Sequence, residues 1–261
     1  MSKFKKSKKW ANKGLGWRPD LPDHRDKEYK VPLKLAAKIP SKVDLRDEFA
    51  FPSVEDQGEL GSCTANALVG AMEFIETVHQ NVAEFTDLSR LFIYYNERAL
   101  EGSIEEDAGA YIRDGIKSLY RKGVCSEALW PYDINRFSES PDKNCYRMAK
   151  EHKIVLYQRI KTLEQMKACL ATKYPFVFGF TVYDSFLSTE VANTGTVPMP
   201  TRDEAVAGGH AVLCIGYDNT TKRFLCRNSW GTEWGSSGYF SIPYAYLADR
   251  NLSDDFWCIR M

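Results

Sequence analysis

The chain has 261 residues, 44% of them hydrophobic and 13% aromatic, enough for a substantial buried core in one large domain or two small ones. Its 35 basic and 35 acidic residues cancel, which leaves no overall field to draw nucleic acid or an anionic membrane surface. No run approaches the roughly 18 apolar residues of a membrane span.

The basic start, MSKFKKSKKW, reads as a solvated end, since no apolar stretch follows it to make a secretory signal. A soluble cytoplasmic protein is therefore expected, with secretion by a signal-free route as the alternative. Residues 1 to about 38 are rich in Lys, Asp, Pro and Gly, and proline bars a continuous helix through GLGWRPDLPDHRDKEYKVP. This stretch reads as an extended arm with Trp10, Trp17 and Tyr29 as apolar anchors, followed by one domain over 39–261.

Helices come next. From Cys63 to about Gln80, the residues Ala65, Leu68, Val69, Met72 and Ile75 recur at helical spacing. A second helix is expected over Leu88 to Leu100 with Thr86 as its cap. A third runs over about Ala108 to Lys122 and stops at Gly123. TLEQMKACLA then opens on the capping-box pair Thr162 and Gln165. The rest is β-rich: PFVFGFTVY, HAVLCIGYD, KRFLCRNSW, GYFSIPY and FWCIRM. Helices first and strands later predict an α+β architecture in two lobes, helical over about 49–150 and β-rich over about 151–250.

Seven cysteines leave at least one without an intrachain partner. Cys214 and Cys226 sit in the apolar runs VLCI and FLCR, as buried small hydrophobes do; Cys125 and Cys145 flank a loop and are the pair that could join. The rest are expected to be free thiols.

Three features point to chemistry. Gln57-Gly-Glu-Leu-Gly-Ser-Cys63 leads straight into a helix, and a thiol at a helix N-terminus has its thiolate favoured by the macrodipole and the unpaired N–H groups. Gln57 is placed to offer an amide N–H to an oxyanion. Gly208-Gly209-His210 opens an apolar strand, and Asn228-Ser-Trp230-Gly ends another with an amide that can accept an imidazole N–H. Singly, each has a plain structural explanation: a helix-start cysteine, a core histidine, an aromatic turn.

Together, in this order and spacing, they resemble the papain family of cysteine peptidases. The family's Gln ahead of Gly-Ser-Cys, its later His-Ala, and its Asn-Ser-Trp-Gly with Trp-Gly and Gly-Tyr stand here as Gln57, Cys63, His210 and Asn228-Ser-Trp230-Gly-Thr-Glu-Trp234-Gly-Ser-Ser-Gly238-Tyr239. The start of the family's mature domain is echoed by Ile39-Pro-Ser-Lys-Val-Asp-Leu-Arg46, and its Tyr-Pro-Tyr by Trp130-Pro-Tyr132. The resemblance implies a two-lobed papain-like fold with the site in the cleft between lobes. It implies peptide or protein substrates and neither metal nor cofactor.

By resemblance Cys63 is the nucleophile, held with His210 as a thiolate–imidazolium pair. His210 protonates the leaving amine, Asn228 orients it, Trp230 shields their bond, and Gln57 binds the oxyanion. Gly109, Tyr111, Gly208 and Gly209 are then candidate substrate-binding residues, with Trp230 beside them. The departures are Leu60 where the family has a disulfide cysteine, Thr64 where it has tryptophan, and one glycine, Gly109, where it has a pair. The short arm is similar to that of bacterial or viral members, and is expected to be a propeptide that occupies the cleft. Two other readings share these residues: a silent homologue that only binds peptides, and a Cys-His acyl-transfer enzyme, against which the Asn-Ser-Trp-Gly block counts.

Overall fold

A computed structural model describes residues 7, 9–36, 38–47, 51–80 and 85–261; the basic run over residues 1–6 lies outside them. In chain order the elements are α1 (Leu33–Ala36), β1 (Lys42–Asp44), α2 (Cys63–His79), α3 (Arg90–Glu101), α4 (Ile112–Arg121), α5 (Lys143–Met148), β2 (Leu156–Arg159), α6 (Leu163–Ala171), β3 (Phe176–Tyr183), α7 (Thr189–Thr194), β4 (Val206–Asp218), β5 (Arg223–Arg227), β6 (Tyr239–Pro243), α8 (Tyr244–Ala248) and β7 (Ser253–Arg260). The helices α2–α4 pack together, and the strands form one antiparallel sheet in the order β2-β7-β3-β4-β5-β6 with β1 beside β4. This is an α+β fold, as the order of helices and strands in the sequence predicts. The sheet takes strands from outside the span expected for the β-rich lobe, since β1 precedes α2–α4 and β7 runs to Arg260.

The helix α2 is buried all round from Cys63 to Glu76, where periodicity alone indicates a single apolar face. It packs against α3 and α4 on one side and β4 on the other. Several of its polar side chains are therefore drawn into hydrogen bonds, as buried polar groups usually are. Thr64 donates to Glu97 (2.8 Å), Asn66 to the Ser62 carbonyl (2.9 Å), and Glu73 accepts the Leu88 N–H (3.1 Å). The last bond, with a bridge from Leu88 to Ser126, keeps Leu88 extended, so α3 starts two residues late and Ser89 caps it instead of Thr86. Likewise α4 begins at Ile112, because Ala110 is drawn into an extended bridge with Trp17. The capping box of α6 forms as its sequence requires.

The arm is part of this core. Trp10, Trp17 and Tyr29 are all buried, and Tyr29 N–H donates to the Arg159 carbonyl at 2.8 Å. All seven cysteines are free thiols. Cys125 and Cys145 touch as hydrogen-bonded thiols, as do Cys169 with Cys258 and Cys214 with Cys226. No described helix is long and apolar enough to cross a membrane.

Candidate active site

The loop before α2 is fixed from several sides. Gln57 N–H donates to the Ser229 carbonyl (2.9 Å), and the Gln57 side-chain carbonyl accepts the Ser229 hydroxyl (2.6 Å). Its Nε2 donates to the carbonyls of Leu60 (2.8 Å) and Gly14 (3.1 Å). The Tyr132 hydroxyl donates to the Gln57 carbonyl (2.9 Å) and meets Ser62 Oγ (2.5 Å). Asp107 receives the Gly61 N–H at 3.0 and 3.1 Å together with the Tyr94 hydroxyl. The Asp107 carboxylate thus ties this loop where Leu60 replaces a disulfide cysteine. Sequence reasoning missed Asp107 and Tyr132 as loop ties, because a bond across more than 45 residues leaves no periodic trace.

Cys63 is the first residue of α2 and fully buried. Burial pushes its thiol up to about 11, against the opposing pull of the Ala211, Gly16 and Thr64 N–H groups that face the sulfur. His210 lies on β4, and its Nε2 shares a hydrogen bond of 2.7 Å with Asn228 Oδ1. The Trp230 ring covers the imidazole at 5.0 Å between centroids, and Phe186 and Phe180 close other sides. Burial pulls His210 down to about 4, although the Asn228 bond works the other way. Nδ1 makes no hydrogen bond among the described residues. With the arm in place, therefore, burial disfavours the charged form of both the thiol and the imidazole, against the pull of the helix N-terminus.

The arm crosses directly over these groups. Gly14 N–H donates to the Gly58 carbonyl (3.1 Å), Ala110 N–H to the Gly16 carbonyl (2.8 Å), Arg18 N–H to the Ala110 carbonyl (3.1 Å) and Trp17 N–H to the Gly209 carbonyl (3.0 Å). Gly16 must be glycine here, since a Cβ would fall onto the Gly61 carbonyl. Of the expected substrate-binding residues, Gly208 meets Leu15, Gly209 meets Trp17, and Gly109 abuts Gly16. The ladder partner is Ala110 rather than Gly109. Tyr111 carries the Arg18 guanidinium on its ring at 4.3 Å. Trp230 is buried over His210, in a depression it shares with Lys9, Trp10 and Lys13 of the arm.

The chain matches known proteins in sequence and in fold. The model of the papain family cysteine protease matches residues 39–251. The chain belongs to this family. It is 44% identical to an uncharacterized peptidase C1-like protein of Acanthamoeba polyphaga mimivirus, over 95% of this chain and 87% of that one. The structure of xylellain, a cysteine protease from Xylella fastidiosa, superposes with a TM-score of 0.88 at 43% identity, covering 100% of this chain and 98% of that one. The oryzain gamma chain of Oryza sativa is 28% identical over 80% of this papain-family chain, which spans 57% of its length. Procathepsin L 3 of Tenebrio molitor shares the fold, with a TM-score of 0.73 at 19% identity over 97% of this chain and 77% of that one. The papain-family chain is thus a cysteine peptidase, a hydrolase.

Proposed function

We propose that this peptidase is an endopeptidase whose N-terminal arm, residues 1–38, is autoinhibitory toward the catalytic domain over 39–261. Cys63 is the nucleophile. Its sulfur attacks the scissile carbonyl carbon, and the resulting oxyanion takes hydrogen bonds from Gln57 Nε2 and the Cys63 N–H. His210 gives its proton to the departing amine, then takes one from the water that hydrolyses the thioester. Asn228 holds the imidazole in register, under Trp230. Gly109, Tyr111, Gly208 and Gly209 flank the bound polypeptide.

One observation carries this reading. The main chain of the arm turns over residues 9–13 and then runs extended past Cys63 to Asp20, so that it continues on both sides of the site, from Ser7 on the Leu187 carbonyl to Asp20 beside Asp255. A cleft open at both ends takes internal segments of a polypeptide. The arm itself is a poor substrate, because it turns the Gly16 N–H rather than a carbonyl carbon to the sulfur, while the Gly14 carbonyl occupies the Gln57 amide.

Two results follow. Trp17→Ala removes a buried indole, a loss of about 3–5 kcal/mol of the kind seen on emptying an aromatic site, and should raise turnover of an internally quenched peptide by about 100-fold over the unaltered chain. Mass spectrometry of the products should show cuts at internal bonds; exclusive trimming from one end would refute the endopeptidase reading. In the same background, Asn228→Ala should lower kcat by about 100-fold with KM little changed, as misplacing a catalytic group does. A change confined to KM would remove Asn228 from its orienting role.

A further inference from the structure

The arm shows what its socket recognises. The Trp17 indole lies flat against Gly179, where any Cβ would overlap the ring, so a large planar side chain fits only because β3 carries a glycine there. Its Nε1–H donates to Asp255 Oδ2 at 3.1 Å. The same oxygen accepts the Asp20 N–H at 2.7 Å, and the other oxygen of Asp255 accepts from Arg159 at 2.6 Å. The Asp255 side chain is fully buried.

When the arm leaves, Asp255 Oδ2 loses both of these arm donors. A ligand that brings an N–H back to it is favoured, and one that fills the space without a donor leaves the oxygen unpaired. A cationic side chain is a worse solution. Asp20 and Asp26 depart with the arm, whereas Arg159 stays, with Asp254 and Asp255 facing it. An incoming ammonium or guanidinium would be repelled by the Arg159 guanidinium already bound to Asp255, a repulsion a neutral indole escapes.

We propose that the socket of Trp17 is a specificity subsite for tryptophan in polypeptide substrates, with Asp255 as the residue that reads the indole N–H. This rests on the reading of the arm as a segment that fills the substrate cleft. A hydrogen bond to a buried carboxylate discriminates by about 10- to 100-fold against a shape-matched ligand lacking the donor.

The test uses the full-length Trp17→Ala chain, whose socket is empty, and paired peptides that differ only in tryptophan or 3-benzothienylalanine, in which sulfur replaces the indole N–H. The tryptophan peptides should be cut with kcat/KM at least about 10-fold higher. Peptides with arginine at that place should be cut more slowly than those with tryptophan. Asp255 has φ 56°, a left-handed conformation that glycine and asparagine accept. Asp255→Gly should therefore abolish the preference, and Asp255→Asn, which keeps an acceptor, should retain most of it. Equal kcat/KM within the pairs, or a preference for arginine, would overturn the proposal while leaving the peptidase reading intact. If no peptide is cut, the peptidase reading fails, and Kd values for the same pairs on the full-length Cys63→Ala, Trp17→Ala chain decide instead. A tryptophan peptide bound at least about 10-fold tighter would uphold the subsite; equal binding, or none, would overturn it.

Discussion

Cys63→Ala, introduced into the Trp17→Ala chain, is expected to abolish peptide hydrolysis, lowering kcat by about 10⁴- to 10⁶-fold as the loss of a covalent nucleophile does. The fold should survive, since Cys63 is a small buried side chain and its replacement removes only a sulfur atom from the first turn of α2. Initial rates on a quenched peptide give the loss, and a thermal melt shows whether the helix packing persists. An epoxysuccinyl peptide should label the parent chain once, at Cys63. The other six cysteines are buried too, each in contact with a second thiol. Activity that outlasts Cys63→Ala, or label found on Cys125 or Cys145, would place the nucleophile elsewhere.

What could be read in the sequence was whatever a short segment dictates for itself. The helix behind Cys63, the capping box at Thr162, the strands of the β-rich half and the family of the chain all follow from local pattern. Helix starts were less legible, because α3 and α4 are shortened by contacts from far away: Glu73 on Leu88, and the arm on Ala110. The burial at the site was hidden for a related reason: a helix N-terminus favours a thiolate, but no local motif reveals that the arm covers Cys63 and His210 and that burial pushes both toward their neutral forms. The electrostatic tie from Asp107 to the Cys63 loop and the Trp17 socket at Asp255 join segments 46 and 238 residues apart. No periodicity records such pairs.

Gly16→Ala should open the site without touching any group proposed for the chemistry. The added methyl falls on the Gly61 backbone, which cannot rotate away as a side chain would, so the arm must lift from the cleft. Overpacking of this kind costs about 1–3 kcal/mol or more, which displaces the docked–undocked balance by about 10- to 100-fold at 1.4 kcal/mol per tenfold. The readout is the rate of alkylation of Cys63 by iodoacetamide in the full-length chain, because truncation at Ile39 would bare the apolar faces under Trp10, Trp17 and Tyr29. The pH dependence separates release from general loosening. In the docked chain the thiol is pushed up to about 11, so the thiolate fraction, and with it the rate, climbs about tenfold per pH unit until that value is reached. Once the arm lifts, water returns and an imidazolium at His210 can hold the thiolate, so the rate should be nearly level through neutral pH. The two chains should therefore differ most near pH 7 and converge as pH rises toward 11. An unchanged rate and slope in Gly16→Ala, with a lowered melting temperature, would make the arm a structural strap that leaves access to Cys63 unaltered.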